Sequence, residues 1–304
     1  MRHGSTVEGG YTVEKYHAYE IDKYAVQVSS KNFPEIVHHG DVFEGDFTEY
    51  KGFDLLIGGS PCTYWSIAKA GRETSPDGMG GKLFMQYVRA LKESECPYFL
   101  YENNYSIHKD IKAFISEQLG VEPIMINSSL VSAQQRKRCY WTNIPGVTQP
   151  EDKGILLKDV LESGTAWQDK NWCLTARYHG AEFRNTLEYH QRTMIAEPIR
   201  IGSVNKGTHI QDRVYSIKGK SVSIKANGGG QGAKTGLYKI DLPNGDYLIR
   251  KLTPVECERL QTLPDNYTEG ISNTQRYKCI GNGWTVDVIA HILKGLNDVL
   301  SCTV

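Results

Sequence analysis

The chain has 304 residues, of which 39% are hydrophobic and 23% charged. That length suits one large domain with a smaller one, and the hydrophobic content excludes an intrinsically disordered chain. Thirty-five basic and thirty-five acidic residues leave no net charge, so a surface that binds nucleic acid would require basic residues to be concentrated locally.

Seven cysteines are spread through the chain, and no two of them form a Cys-x-x-Cys pair. Their odd number and wide spacing argue against a disulfide framework and a zinc site, so we expect no metal and a reducing compartment. No apolar run approaches the roughly 20 residues of a membrane span, and the polar start lacks the apolar core of a signal peptide. We therefore expect a cytoplasmic protein without membrane contact.

Strand-like and helix-like segments alternate as far as about residue 150, which predicts an α/β domain with a mostly parallel sheet. Residues 13–20 read as a strand that ends in Glu20, and residues 22–32 read as a helix. An acid at such a strand end commonly holds the ribose of a nucleotide. Taken alone, Glu20 is more often a solvated carboxylate, and Asp41 after Gly40 is equally typical of a turn.

The apolar run at residues 53–57 predicts a buried parallel strand whose carboxyl end delivers Cys62 into a crevice. A thiol there can act as a nucleophile if its pKa is lowered, although most free cysteines simply pack in a core. The polar, glycine-rich residues 70–81 that follow are typical of a mobile lid, and residues 82–93 predict a helix.

A second polar group follows the strand predicted at residues 98–101, where Glu102 would share the crevice with Cys62. A helix cap is the alternative for Glu102. An antiparallel pair is predicted at residues 124–131 and 139–144. Between them, alternation would put Gln134, Arg136 and Arg138 on one face, which suits an anionic substrate, while a solvated edge strand is the alternative.

These residues resemble motifs of the carbon-5 cytosine DNA methyltransferases of the bacterial and phage type. Pro61-Cys62 resembles the nucleophile motif, Glu102-Asn103 the glutamate motif, and Gln134-x-Arg136-x-Arg138 the basic strand. Residues 250–265 and 281–286 resemble the last two motifs in their usual order, with a helix predicted to begin at Pro254. The chain departs from the family pattern at Thr63, where Gln is frequent, and at Asn104, where Val is usual.

The resemblance implies a Rossmann-like, S-adenosylmethionine-dependent methyltransferase sheet at residues 1–150, an inserted target-recognition domain at 151–249, and a return segment at 250–304. It implies that Cys62 adds to carbon 6 of a flipped-out cytosine in double-stranded DNA while Glu102 binds ring nitrogen 3. Arg138, with Arg136 beside it, would orient the base or Glu102. The residues implied for the cofactor S-adenosylmethionine are Glu20, Ile21, Asp41, Val42, Pro61, Asn282 and Trp284, the last of which on its own reads more readily as core packing.

Basic residues are concentrated inside the implied recognition domain. Residues 198–240 contain eight basic residues against one acid, Asp212, together with eight glycines. Such a segment suits phosphate and base contacts in a duplex, although a solvated loop explains it equally well without the resemblance. The candidate DNA-binding residues are Ser66, Arg213, Lys218, Lys220, Lys225, Asn227 and Lys234.

The amino terminus departs most from the family, which opens with an apolar strand and a Phe-x-Gly-x-Gly-type loop around the methionine part of the cofactor. Residues 1–10 contain no apolar strand, and Gly9-Gly10 comes too late for that loop. We therefore expect a shortened methyltransferase that binds S-adenosylmethionine weakly or not at all. We also expect a monomer from a bacterial or phage-infected cell. A tRNA cytosine methyltransferase and a catalytically silent DNA-binding relative remain as alternatives.

Overall fold

The computed structural model describes residues 12–61, 64–66, 71–164, 166, 168–182, 192–198, 214–216, 237–242 and 245–296. Cys62 lies outside these residues, and so do residues 1–11, on which the expectation of a missing first strand depends. The candidate DNA contacts Arg213, Lys218, Lys220, Lys225, Asn227 and Lys234 also lie outside them.

A four-stranded mixed sheet forms the centre of the first domain. Its order is β3 (Leu55–Gly58), β4 (Tyr98–Asn104), β6 (Lys137–Thr142) and β5 (Ile124–Asn127). β3 and β4 are parallel, whereas β6 runs antiparallel to both of its neighbours. The predicted strand before Cys62 and the predicted antiparallel pair are therefore confirmed, and the edge-strand alternative is wrong because β6 is an interior strand.

A separate pair of short parallel strands precedes this sheet. β1 (His17–Ala18) pairs with β2 (Val37–His38), and helix α1 (Lys23–Asn32) connects them. The Asp22 carboxylate accepts a hydrogen bond from the Tyr24 amide and so caps α1, which confirms the predicted helix. This βαβ arrangement leaves Glu20 at the carboxyl end of β1, as the sequence pattern predicts.

Helices cover both faces of the central sheet, because successive side chains of a strand point to opposite faces. Tyr101 and Trp141 pack on α2 (Met79–Ser94) and α3 (Lys109–Leu119), and the Trp141 indole donates to Ser116 Oγ at 3.0 Å. Leu100 and Tyr140 pack on the other side against α6 (Val286–Leu293). Glu102 shares the second face, two residues beyond Leu100, so its carboxylate lies on the α6 side of the sheet.

The return segment adds α4 (Pro254–Leu260) and α5 (Asn273–Asn282) before α6. α4 begins at Pro254 as predicted, because Thr253 Oγ1 accepts from the Glu256 amide while the Glu256 carboxylate binds the Thr253 amide. Leu157, Tyr178 and Leu260 belong to one buried cluster. The described residues between 155 and 181 therefore contribute to a core that the return segment shares, and the division at 151 and 250 stays a prediction.

A second sheet has the order β7 (Met194–Pro198), β10 (Gly245–Lys251), β9 (Leu237–Leu242) and β8 (Val214–Ser216). β10 crosses the expected boundary at residue 250. Within the described residues, no helix is long and apolar enough to span a bilayer, and no three histidine, cysteine or acidic side chains are grouped as they would be around a metal ion.

Gly281, near the end of α5, offers a test of how the return segment docks. A β-carbon at this position would overlap backbone atoms of Thr175 and Ala176. We expect Gly281→Ala to lower the free energy of unfolding by about 1–3 kcal/mol, because a backbone cannot yield as a side chain does. Urea denaturation measures the change. Gly180→Ala is the matched control, since the nearest atom to its added β-carbon is 3.8 Å away, and an equal loss in both variants would contradict the docking.

Candidate active site

A cavity of about 380 Å³ opens at the carboxyl ends of β1 and β3. Its walls come from four parts of the chain: residues 16–38, residues 59–61, the facing parts of β4 and the basic strand, and residues 278–284. The volume lies within the range of about 300–1,000 Å³ that is usual for small-molecule sites. The cavity joins three of the predicted catalytic residues, Glu102, Arg136 and Arg138, to several of the predicted cofactor residues.

Glu102 and Arg138 form an ion pair in the wall of this cavity, with Arg138 Nε 2.9 Å from Glu102 Oε1. Both side chains are only 11% exposed, so solvent screens the pair less than it would at the surface. The Nη1 group of Arg138 donates to the Lys137 carbonyl at 2.9 Å. Glu102 lies inside β4, so the helix-cap alternative is wrong.

Arg136 does not bind Glu102 through any of its described hydrogen bonds, although it lines the same cavity. Its guanidinium group donates to three backbone carbonyls, those of Leu174 (2.9 Å), Gly281 (3.2 Å) and Gly283 (2.8 Å). The side chain is almost fully buried, and burial together with the nearby charge of Arg138 lowers its pKa. Arg136 therefore positions the cavity wall, whereas Arg138 is the arginine that holds the glutamate.

Gln134 also serves the backbone. Its Nε2 donates to the Leu260 carbonyl at 3.1 Å, and its Oε1 accepts from the Leu174 amide at 2.7 Å. Only Arg138 of the three alternating residues lies within β6, since that strand begins at Lys137. Gln134 and Arg136 therefore stabilise the backbone around the cavity, whereas Arg138 contacts Glu102.

Cys173, which the sequence did not single out, contacts both arginines and lies outside the described cavity lining. Its Sγ lies 3.5 Å from Arg136 Nη1 and 3.9 Å from Arg138 Nη2. Burial alone would raise the pKa of this thiol, but the charges and hydrogen bonds of the two arginines outweigh it and lower the pKa. Nothing in the residues around Cys173 signals this, because both arginines come from another segment.

The chain leading to Cys62 is fixed by a polar contact with β4. The hydroxyls of Ser60 and Tyr101 are hydrogen-bonded at 2.5 Å, and Asn103 Nδ2 donates to Ser60 Oγ at 3.2 Å. Burial raises the pKa of Tyr101 to about 12, so its hydroxyl stays protonated at neutral pH. Pro61, the residue before Cys62, lines the cavity.

Gly59 passes closely between two other wall residues. A β-carbon there would lie 2.9 Å from the Glu102 carbonyl oxygen and 3.4 Å from the Trp284 ring. Only glycine allows this approach of backbone to backbone, which brings the segment before Cys62 alongside Glu102.

The expected cofactor residues fall into two groups. Glu20, Pro61, Asn282 and Trp284 line the cavity, and Trp284 also packs in the core beneath α6. Ile21, Asp41 and Val42 are not part of the described lining. Ile21 is 77% exposed, and the Asp41 carboxylate caps a 3-10 turn by accepting from the Phe43 amide at 3.0 Å.

Lys278 and Asp22, which the sequence did not mark, close the cavity between α5 and α1. Lys278 Nζ lies 2.7 Å from Asp22 Oδ2, and both residues line the cavity. Partial burial opposes ionisation of Asp22, but the hydrogen bonds from Lys278 and the Tyr24 amide outweigh it and lower the pKa of the carboxyl. Asp22 is therefore ionised at neutral pH, and its ion pair with Lys278 links the start of α1 to α5.

The lining suits a nucleoside cofactor with polar edges. Glu20 offers a carboxylate at a strand end, and its Oε1 accepts from the Asp22 amide at 2.8 Å. His38 Nε2 is hydrogen-bonded to Ser29 Oγ at 2.9 Å, while its buried Nδ1 has no partner among the described residues. A bound ligand with a hydrogen-bonding group would satisfy this nitrogen, so the described lining fits S-adenosylmethionine. The expectation of weak cofactor binding rests on residues 1–11 and stays a prediction.

Ser66, a candidate DNA contact, follows Cys62 by four residues and lies outside the described cavity lining. Farther along the predicted lid, Arg72 donates to the Ser106 carbonyl at 2.7 Å, and the Glu73 carboxylate accepts from the Met79 and Gly80 amides at 3.1 Å each. These bonds secure the described part of the predicted lid to α2 and to the segment after β4.

Arg136→Lys tests whether this arginine builds the wall. Lysine keeps the charge but cannot bind three carbonyls with a planar fork, so we expect the free energy of unfolding to fall by about 3 kcal/mol. The exposed Arg177 provides the control, since Arg177→Lys should change stability little. Chemical denaturation measures the free energy of unfolding of both variants. Equal stability of Arg136→Lys and Arg177→Lys would contradict a structural role for Arg136.

The lowered pKa of Cys173 predicts selective alkylation. At pH 7 its thiolate fraction should exceed that of Cys96, Cys139, Cys257 and Cys279, whose thiols are buried and have raised pKa values. Brief iodoacetamide treatment followed by peptide mass mapping should label Cys173 at least about tenfold faster than these four. Slower labelling of Cys173 than of any of them would contradict its contact with the two arginines.

Sequence and structure comparisons place the chain among known proteins. The model of the C-5 cytosine-specific DNA methylase family matches residues 1–298. Type II methyltransferase M.HhaI of Haemophilus parahaemolyticus is 28% identical, over 95% of this chain and 89% of the relative. Orphan methyltransferase M.SPRI of Bacillus phage SPR is 25% identical, over 91% of this chain and 90% of the relative.

Among solved structures, the Entamoeba histolytica methyltransferase EhMeth has a TM-score of 0.65 at 15% identity, covering 98% of this chain and 96% of that one. This likeness confirms the predicted α/β methyltransferase fold. The family match extends over nearly the whole chain and confirms the resemblance that the ordered motifs indicate. The chain belongs to the C-5 cytosine-specific DNA methylase family, a family of enzymes.

Proposed function

We propose that the protein transfers a methyl group from S-adenosylmethionine to carbon 5 of cytosine in double-stranded DNA. The observation that carries the proposal is the Glu102–Arg138 ion pair in the wall of a cavity that Pro61 also lines. A carboxylate held this way and a cysteine one residue beyond Pro61 are two groups that this reaction requires from the protein.

Cys62 would supply the nucleophile. Carbon 5 of cytosine is itself a weak nucleophile, so the thiolate forms a bond to carbon 6 and the ring becomes an enamine with electron density at carbon 5. After methylation, a base removes the carbon-5 proton, the electron pair restores the ring, and the carbon–sulfur bond breaks. The contacts of Ser60 with Tyr101 and Asn103 would limit the positions open to Cys62.

Glu102 would act on the opposite edge of the base. Its carboxyl group would donate a proton to ring nitrogen 3 and stay hydrogen-bonded to the protonated nitrogen, which stabilises the negative charge that develops on the ring when the thiolate adds. Arg138 fixes the carboxylate through Oε1, so the other oxygen, Oε2, is the one we assign to the base. Arg136 has a positioning role through the carbonyls of Leu174, Gly281 and Gly283.

S-adenosylmethionine, when bound, supplies an activated methyl group. Glu20, Asn282 and Trp284 would hold it in the cavity, with His38 Nδ1 as an additional hydrogen-bonding group. Ile21, Asp41 and Val42 remain proposed contacts at the outer rim. These side chains would contact S-adenosylmethionine only if the cofactor extends beyond the described cavity lining.

Base flipping is the third part of the proposal. Carbons 5 and 6 lie inside the base stack of a duplex, so the target nucleotide must leave the stack at a cost of a few kcal/mol. The basic segment at 198–240 would offset this cost by binding phosphates, with Arg213, Lys218, Lys220, Lys225, Asn227 and Lys234 as proposed contacts and Ser66 near Cys62.

Duplex DNA is favoured over tRNA as the substrate, because the matched family is described as acting on DNA and both relatives are type II or orphan methyltransferases of bacterial or phage origin. Catalysis is favoured over silent binding, because Glu102 keeps its ion pair. We also propose the division into residues 1–150, 151–249 and 250–304, and a monomer.

Transfer of a labelled methyl group to duplex DNA and to tRNA, measured side by side, tests the function. Wild type should label DNA, and bisulfite sequencing should locate the methyl group on cytosine. Cys62→Ser should reduce transfer to background, because a hydroxyl is a much poorer nucleophile at neutral pH. Glu102→Gln should reduce it by about a hundredfold or more, since proton transfer at nitrogen 3 is lost.

The exposed Glu117 on α3 provides a matched control, and Glu117→Gln should leave the rate unchanged. DNA binding should survive in Cys62→Ser, which separates loss of chemistry from loss of the substrate. Turnover retained in Cys62→Ser would exclude the covalent mechanism. Preferential labelling of tRNA would exclude duplex DNA as the substrate.

A further inference from the structure

We propose that Tyr105, Lys112 and Lys137 form a phosphate-binding surface for the DNA strand that carries the target cytosine. This Tyr105 patch would act in addition to the basic segment at 198–240. The inference rests on the proposed function, because it concerns how the same DNA reaches the Glu102 site.

The ammonium groups of two lysines lie over the aromatic ring of Tyr105. Lys112 Nζ lies 4.3 Å from the ring centroid, and Lys137 Nζ lies 6.0 Å from it. Tyr105 itself is 46% exposed, although large hydrophobic side chains usually gain by burial. The exposed ring holds two ammonium groups and so restricts two otherwise flexible side chains. Less conformational entropy is therefore lost when an anion binds them.

The patch is built by regular structure and not by a loop alone. The register of β4 and β6 pairs Asn104 with Arg138, so Tyr105, in the turn after β4, and Lys137, at the start of β6, come one residue beyond that pair. Lys112 comes from the first turn of α3 (Lys109–Leu119), which packs on the same face of the sheet. Three elements of the first domain therefore meet at this point.

The positive charge of the patch is not neutralised by the described part of the chain. No carboxylate oxygen among the described residues lies within 4.0 Å of Lys112 Nζ or Lys137 Nζ. The nearest acid in the sequence of α3, Asp110, is two residues from Lys112, a spacing that places the two side chains on different faces of the helix. Two ammonium groups without a carboxylate partner complement a phosphodiester backbone.

The position of the patch fits a strand that enters the active site. Lys137 is adjacent in sequence to Arg138, which binds Glu102 at 2.9 Å. Because side chains alternate along β6, Arg138 faces the cavity and Lys137 faces the α3 side of the same end of the sheet. A duplex that presents a cytosine to Glu102 must cross this end, which brings a flanking phosphate to the Tyr105 patch.

Contacts to phosphate carry no base information, so the patch should raise affinity for every sequence equally. The test is the salt dependence of duplex binding by the full chain. In Lys112→Ala/Lys137→Ala, the slope of log affinity against log salt concentration should fall by about 0.9 for each lysine lost. Affinity at low salt should fall roughly tenfold for duplexes of any sequence.

Lys51→Ala/Lys92→Ala is the matched control. Both lysines are exposed and lie at the opposite end of the strands, before β3 and in the last turn of α2, so an equal loss of charge there should leave the slope unchanged. Tyr105→Phe keeps the ring and should bind as wild type does, whereas Tyr105→Leu should weaken affinity without changing the slope.

Methyl transfer by wild type, assayed in parallel, separates this inference from the proposed function. If wild type methylates duplex DNA but the patch variant keeps its salt slope and affinity, the patch is excluded and the function stands. If wild type methylates no DNA, the function fails, while a smaller slope in the patch variant still supports phosphate binding there. A loss confined to tRNA binding would overturn the assignment to DNA.

Discussion

The site depends on the hydrogen bonds that Arg136 makes to the carbonyls of Leu174, Gly281 and Gly283. These bonds attach two remote parts of the chain to the start of β6. A buried carbonyl that loses its donor costs about 1–3 kcal/mol, so the three bonds hold the wall as a unit. With Arg136 occupied in this way, Arg138, two residues later on β6, can face the Glu102 carboxylate. Arg136 therefore stabilises the structure of the site, whereas Arg138 contacts Glu102.

Two arginines lie close to the Glu102 carboxylate and the Cys173 thiol. Arg138 lies between the Glu102 carboxylate and the Cys173 sulfur, and Arg136 also contacts that sulfur. The lowered pKa of Cys173 follows from this arrangement, because two positive charges outweigh the effect of burial. A thiolate here would balance part of the positive charge that the two arginines bring into a poorly solvated site.

Local signals in the sequence are sufficient for several elements. Asp22 and Thr253 cap the helices that are predicted to begin beside them, because a cap depends only on neighbouring residues. The pattern predicts that β4 ends at Tyr101, yet the strand continues to Asn104 because Glu102, Asn103 and Asn104 pair with β6. Such pairing depends on a distant strand that no local pattern reveals.

The same distinction explains the site residues. Glu20, Asn282 and Trp284 are expected at the cofactor site by motif and do line the cavity. Lys278 and Cys173 could not be found this way, since their partners, Asp22 and the two arginines, belong to other segments. The edge-strand alternative for residues 134–138 fails for the same reason, because only the sheet order shows that β6 has a neighbour on each side.

The wall contributed by residues 278–284 has a consequence for the newborn chain. Glu102 and the strand that leads to Cys62 are synthesised long before Lys278 can meet Asp22, which is 256 residues earlier. Domains fold progressively as the chain leaves the ribosome, so the early sheet must persist with its cavity open on one side. A nascent chain therefore carries its reactive groups before it has a closed pocket, and the site is completed only when residues 278–284 have been synthesised.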